Sequence, residues 1–121
     1  MKTDDIAYLF ASKAINLFKK GILSPVEALQ AQINRIENFN DKINCITYKH
    51  FVHAIEDAEE SEKRYKNGNP RELEWITVAV KDKHDREGWV TTKGSLINAL
   101  YSTIDISNVQ NKQLFALYFG L

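Results

Sequence analysis

The stretch "ITVAVKDKHDREGWVTTKGS", residues 76–95, decides how this chain is read. It opens inside "WITVAV", residues 75–80, a short apolar run rich in β-branched side chains, behind the strong break "NGNP" at 67–70. Such a run predicts a buried strand in a parallel or mixed sheet covered by helices. The run stops at Lys81 and Asp82. A charged loop comes next, then Gly88, Thr91-Thr92 and Gly94-Ser95. A lysine at the end of a buried strand is a candidate for desolvation, which lowers an amine pKa from about 10.4 and frees a neutral base. The competing reading is a solvated lysine paired with Asp82. Ser95 is a candidate nucleophile for that base, although "TTKGS" lacks a nucleophile elbow and Gly-Ser also serves as a plain turn. Thr91 and Thr92 have a simpler reading as loop residues that bond backbone.

Upstream, the apolar spacing predicts three helices. In "TDDIAYLFASKAINLFKKG" residues Ile6, Leu9, Phe10, Ala14, Leu17 and Phe18 recur at helical intervals. Thr3 is the expected cap, and Gly21 the expected stop. "SPVE" opens a second helix: Ser24 as N-cap, Pro25 in the first position and Glu27 closing a capping box. Its stripe is Val26, Leu29, Ile33 and Ile36, and its end is expected near Asn38 to Asn40. "INCIT", residues 43–47, alternates as a short extended segment would. A third helix is expected over Lys49 to Lys66, with Phe51, Ala54, Ile55, Ala58 and Tyr65 facing inward.

Downstream, residues 96–121 carry only Asp105 and Lys112 as charges and end in "LFALYFGL". Ser107 and Gln110 predict a capping box and a last helix from about Asn108. An apolar terminus of this size needs burial, in a partner or in a second copy.

Composition narrows the function classes. The 121 residues are 44% hydrophobic and 26% charged, as in a globular domain. Lys+Arg and Asp+Glu are 16 each, so the basic excess of a nucleic-acid binder is missing. No run of about 20 apolar residues predicts a membrane span. The acidic start "MKTDDIAYLF" does not read as a secretion signal. The lone Cys45 allows no internal disulfide, which fits a reducing, cytoplasmic setting. Cys45, His50 and His53 form a conceivable zinc cluster, but without a fourth ligand or a recognised spacing. Surface histidines and a packed cysteine are the alternative. No metal and no cofactor are expected.

These residues resemble the amidase signature family. Its first motif runs Gly-Ile-Pro-Val-Ala-Val-Lys-Asp, then a loop, a Gly and Thr-Thr-x-Gly-Ser, as in residues 76–95 here. "FKKGILSPVEALQAQINRIENFNDKINCIT" is similar to the family's helical region, so the resemblance covers about residues 5–96. It implies hydrolysis or transfer at an amide carbonyl by a Ser–cis-Ser–Lys triad, with Lys81 in the position of the general-base lysine. The chain departs from the motif at several places. Glu74-Trp75 stand where the family usually has His-Gly, Thr77 replaces Pro, and Lys83 replaces a common Asn. The family's Gly- and Ser-rich segment, with its bridging serine, oxyanion-hole amides and nucleophile, has no counterpart in residues 1–121.

The resemblance therefore implies an α+β piece of an α/β amidase-signature fold, a helical layer on an incomplete mixed sheet. Residues 1–70 would be helical, 71–96 would hold the lysine strand and Thr-Thr-x-Gly-Ser loop, and 97–121 would be a divergent apolar tail. It also implies a segment that is inactive alone, because a base without nucleophile and oxyanion hole cannot complete the reaction. A small amide is the implied substrate once the site is completed. No nucleic acid or membrane partner is expected. The alternative function is a binding or regulatory module that forms a homo-oligomer, or joins a partner, through its apolar tail.

Overall fold

A computed structural model describes residues 3–84, 89–95, 97 and the strand at 115–119. The elements run α1 (Thr3–Ala7), α2 (Ala11–Lys19), α3 (Pro25–Ile43), α4 (Phe51–Lys66), β1 (Thr77–Lys81) and β2 (Phe115–Phe119). The fold is thus α+β, with helices first and the strands after them.

The first expected helix is two helices. Leu9 N–H donates to the Ile6 carbonyl at 3.2 Å, and Phe10 is extended (φ −62, ψ 143) before α2 begins. The cause is tertiary. The Arg35 guanidinium of α3 lies 4.4 Å from the Tyr8 ring centroid and 4.6 Å from that of Phe39. The break turns Tyr8 onto α3 while Ile6 and Leu9 still pack on the core.

The helix stops coincide with glycines. Gly21 has φ +65; its N–H bonds the Phe18 carbonyl at 3.0 Å, and Ile22 N–H bonds that of Leu17 at 3.0 Å. Gly68 has φ +69 and repeats the pattern, with Gly68 N–H to Tyr65 at 3.1 Å and Asn69 N–H to Arg64 at 3.0 Å. Both are Schellman stops, which need a left-handed residue after the helix.

The capping box of α3 is formed as expected. Glu27 N–H donates to Ser24 Oγ at 3.1 Å, and Ser24 N–H donates to Glu27 Oε2 at 2.8 Å. The helix then runs past Asn40 to Ile43 and ends at left-handed Asn44 (φ 51). The extended segment expected at 43–47 is not a strand. Buried Asn40 accepts from Ile46 N–H at 2.8 Å and donates to the Ile46 carbonyl at 3.0 Å. A side chain takes the bonds that a neighbouring strand would have made.

The core joins Phe18, Leu23, Ala28, Leu29, Ile33, Ala54, Ala58 and Trp75. Ala54 and Ala58 let α4 approach α3 closely, and Phe51, Ile55 and Tyr65 pack around them as their spacing predicts.

β1 and β2 pair in parallel, from Thr77 opposite Phe115 to Lys81 opposite Phe119. The expected last helix therefore fails over 115–119. "FALYF" is a five-residue apolar run without alternation, which periodicity alone cannot separate from a helix turn. Its pairing with β1 decides for strand. Ser107, Gln110 and the expected start at Asn108 lie outside the described residues, as do Gly88 and the apolar side chains from Leu114 to Leu121. Among the described residues, no helix is long and apolar enough to cross a membrane.

Candidate functional site

β1 ends at Lys81, as expected, but Lys81 is exposed rather than buried. The burial pattern explains the correction. Val78 and Val80 are half-buried and Asp82 is buried, whereas Ala79, Lys81 and Lys83 are exposed. Successive strand side chains point to opposite faces. One face of β1 is thus partly covered, and Lys81 stands on the other. An apolar run by itself suggests a strand covered on both.

Asp82 organises the loop that leaves β1. It is 5% exposed. Thr92 N–H donates to Asp82 Oδ1 at 2.8 Å, and the Thr92 hydroxyl donates to Asp82 Oδ2. The Asp82 carbonyl accepts from Lys93 N–H at 3.0 Å. A tight turn closes this clasp: Ser95 N–H bonds the Thr92 carbonyl at 2.9 Å, with Lys93 (φ 52) and Gly94 (φ 72) both left-handed. Two positive-φ central residues are the signature of a type I′ turn, which favours glycine. Gly94 N–H also donates to Thr92 Oγ1 at 3.2 Å. The Lys81–Asp82 ion pair is replaced by this clasp; among the described residues no ion pair joins the two.

Of the other candidates, Thr91 is buried and its hydroxyl donates to the His84 carbonyl at 3.4 Å, in keeping with its reading as a loop residue. Ser95 is half-buried, and among the described residues no hydrogen bond links it to Lys81. Cys45, His50 and His53 are not gathered into one site. Cys45 Sγ contacts Asn40 Oδ1 at 3.7 Å, His53 faces Glu56 at 3.4 Å, and His50 stacks on Trp89 with ring centroids 3.6 Å apart. Among the described residues no three His, Cys, Asp or Glu side chains converge as metal ligands.

A second acid, on the other side of β1, escaped the sequence reading. Glu74 is 1% exposed and accepts from Ser61 Oγ (2.6 Å), Arg64 Nε (3.2 Å), and Arg71 N (3.1 Å), Nε (2.8 Å) and Nη2 (2.9 Å). Burial opposes its charge, but the bonds from Arg71 and Ser61 outweigh burial and hold the carboxyl at about 2, against an ordinary 4.5. Tyr65 donates to the Glu74 carbonyl at 3.0 Å; burial, and then the charge of Glu74, push its hydroxyl pKa up. The Arg71–Glu74 spacing was visible in the sequence, but the partners on α4 were not.

Trp75 beside it is left-handed (φ 57), a conformation that costs a bulky residue about 1–3 kcal/mol. The family motif has glycine at this position. Here the indole is 3% exposed and meets the Phe18 ring edge-on at 5.3 Å.

Comparison with known proteins agrees with this fold. The family model described as Amidase matches residues 27–111. A mitochondrial glutamyl-tRNA(Gln) amidotransferase subunit of Macaca fascicularis is 41% identical over 78 residues, which are 64% of this chain and 15% of that protein. The corresponding glutamyl-tRNA(Gln) amidotransferase subunit of Salinispora tropica is 31% identical over 96 residues, 78% of this chain and 20% of the relative. A solved bacterial aryl acylamidase of the amidase signature enzymes superposes with TM-score 0.80 at 25% identity, covering 95% of this chain and 26% of that one. The chain thus spans 15% to 20% of the length of these two curated relatives.

Proposed function

The chain belongs to the amidase family, and from that premise we propose that it supplies the lysine-bearing part of a site that cleaves a carboxamide C–N bond. The observation that carries this reading is the placement of Lys81. It ends β1 beside the clasped Thr92–Ser95 turn, inside the matched segment, as the resemblance requires of the family's general base. In this role a neutral Lys81 takes a proton, through a bridging serine, from the nucleophile that attacks the carbonyl. A neutral amine needs a dry site. Lys81 is exposed here, so polypeptide outside this sequence would cover its face and bring the serines and oxyanion-hole donors. The chain alone is inactive on this reading, its substrate once completed is a small amide, and its place is the cytoplasm.

The test is a graft. Residues 27–111 replace the matching segment of the bacterial aryl acylamidase, and amide hydrolysis is measured with and without Lys81→Ala. Activity in the graft that collapses in the lysine variant supports the reading. Activity indifferent to that change removes it. The isolated chain is expected to turn over neither simple amides nor glutamine.

A second reading, a non-catalytic module that pairs through its tail, draws support from β2. The tail forms β2 beside β1, and among the described residues the outer edge of β2 has no strand partner. An open edge favours pairing with another copy. Light scattering at micromolar concentration separates the outcomes: a dimer lost on removing residues 114–121 supports the module, and a clean monomer rejects it.

A further inference from the structure

We propose that Asp82 is a positioning residue for Lys81: its buried carboxylate, held by Thr92, fixes the facing of the end of β1 so that Lys81 projects from the exposed face. The inference rests on the reading of Lys81 as the working amine.

The geometry carries it in three steps. Side chains alternate along a strand, so holding Asp82 inward holds Lys81 and Lys83 outward, and a one-residue slip would reverse all three. The observed burial obeys that alternation from Val78 to Lys83. Next, a buried carboxylate is costly unless its oxygens are bonded. Both oxygens of Asp82 are met by Thr92, one by the backbone N–H and one by the hydroxyl. The inward facing of Asp82 is therefore strongly preferred over any alternative in which these bonds break. Finally, the chain is stitched on both sides of the side chain. The Lys81 carbonyl accepts from Lys83 N–H at 2.7 Å and His84 N–H at 3.1 Å, while the Asp82 carbonyl accepts from Lys93 N–H.

Thr92 is suited to the role because its hydroxyl works in both directions. It donates to Asp82 and accepts from Gly94 N–H, so the clasp and the type I′ turn are one unit. A second tether is independent of Asp82. Trp89 stacks on His50 at the start of α4, with the rings 17° from parallel. Loss of the clasp should therefore free the end of β1 without releasing the whole loop.

The experiment uses the full 121-residue chain and the variants Asp82→Asn, Thr92→Val and Thr92→Ser. Each is treated with substoichiometric N-hydroxysuccinimide acetate, and peptide mass spectrometry gives the acetylation of Lys81 relative to remote, exposed Lys13. Thermal unfolding is followed in parallel. Thr92→Val keeps every charge and removes only the hydroxyl, so it isolates geometry and stands in if Asp82→Asn fails to fold. We expect the Lys81:Lys13 ratio to fall at least twofold in Asp82→Asn and Thr92→Val, the result for a strand end that spends half its time facing inward. Thr92→Ser, which keeps both donors, should retain the ratio. An unchanged or increased ratio in Thr92→Val overturns the proposal, even if the unfolding midpoint drops, because the clasp would then be a stabilising tie alone. The catalytic reading fails separately, if the acylamidase graft tolerates Lys81→Ala; the acetylation ratio does not depend on turnover.

Discussion

Two buried acids bracket the same five-residue strand, and they are held in opposite ways. Glu74, before β1, is an ion among ions: two arginines and a serine reach it from α4 and from the approach to the strand. Asp82, after β1, is held among the described residues by one neutral side chain, Thr92, from the loop beyond the strand. The first acid fastens the sheet to the helical layer. The second shapes a turn and decides which way a lysine faces. A charged partner set gives strength, whereas a neutral threonine gives direction.

If that contrast is right, Glu74→Ala has the largest effect on stability. It takes the carboxylate from Arg71, leaves Arg64 to its exposed pair with Glu60 and empties a buried polar site, so about 3–4 kcal/mol should be lost in denaturant unfolding. A loss below about 1 kcal/mol, the level of an ordinary surface pair, would break the comparison. The same acid predicts a pH dependence. Its folded pKa of about 2 lies below the ordinary 4.5, so its stabilisation is complete above 4.5 and is lost as pH falls towards 2. The unfolding midpoint should therefore drop over that interval, and Glu74→Gln should flatten the profile.

Trp75→Gly comes next. Removing the indole costs roughly 3–5 kcal/mol of core packing, and glycine returns about 1–3 kcal/mol by accepting φ 57 without strain, leaving a net loss of about 2 kcal/mol. A neutral or stabilising result would show that the ring does not support the core. Asp82→Asn is the smallest, about 1 kcal/mol, since an amide keeps one acceptor for Thr92 N–H. Its effect should appear instead as faster amide exchange at Thr92 to Ser95, with α4 unaffected.

Distance along the chain separates what the sequence made legible from what it hid. Local signals were dependable: Ser24 with Glu27, Gly21 and the break at Gly68 all lie within a few residues of their partners. Signals that depend on distant partners were not. Nothing near Glu74 announces Ser61 or Arg64, which come from α4. The break at Tyr8 depends on Arg35, far along the chain, and the strand at 115–119 depends on β1. The exposure of Lys81 was hidden for a related reason. An apolar run such as "TVAV" fits coverage on one face or two, because small Ala79 leaves no alternation to read.

The most direct measurement is kcat of the acylamidase graft carrying residues 27–111, with Lys81 and with alanine in its place. General-base catalysis contributes typically 10²–10⁴-fold, so a fall of at least about 100-fold is expected, with KM little changed. Equal turnover by the two grafts would contradict it.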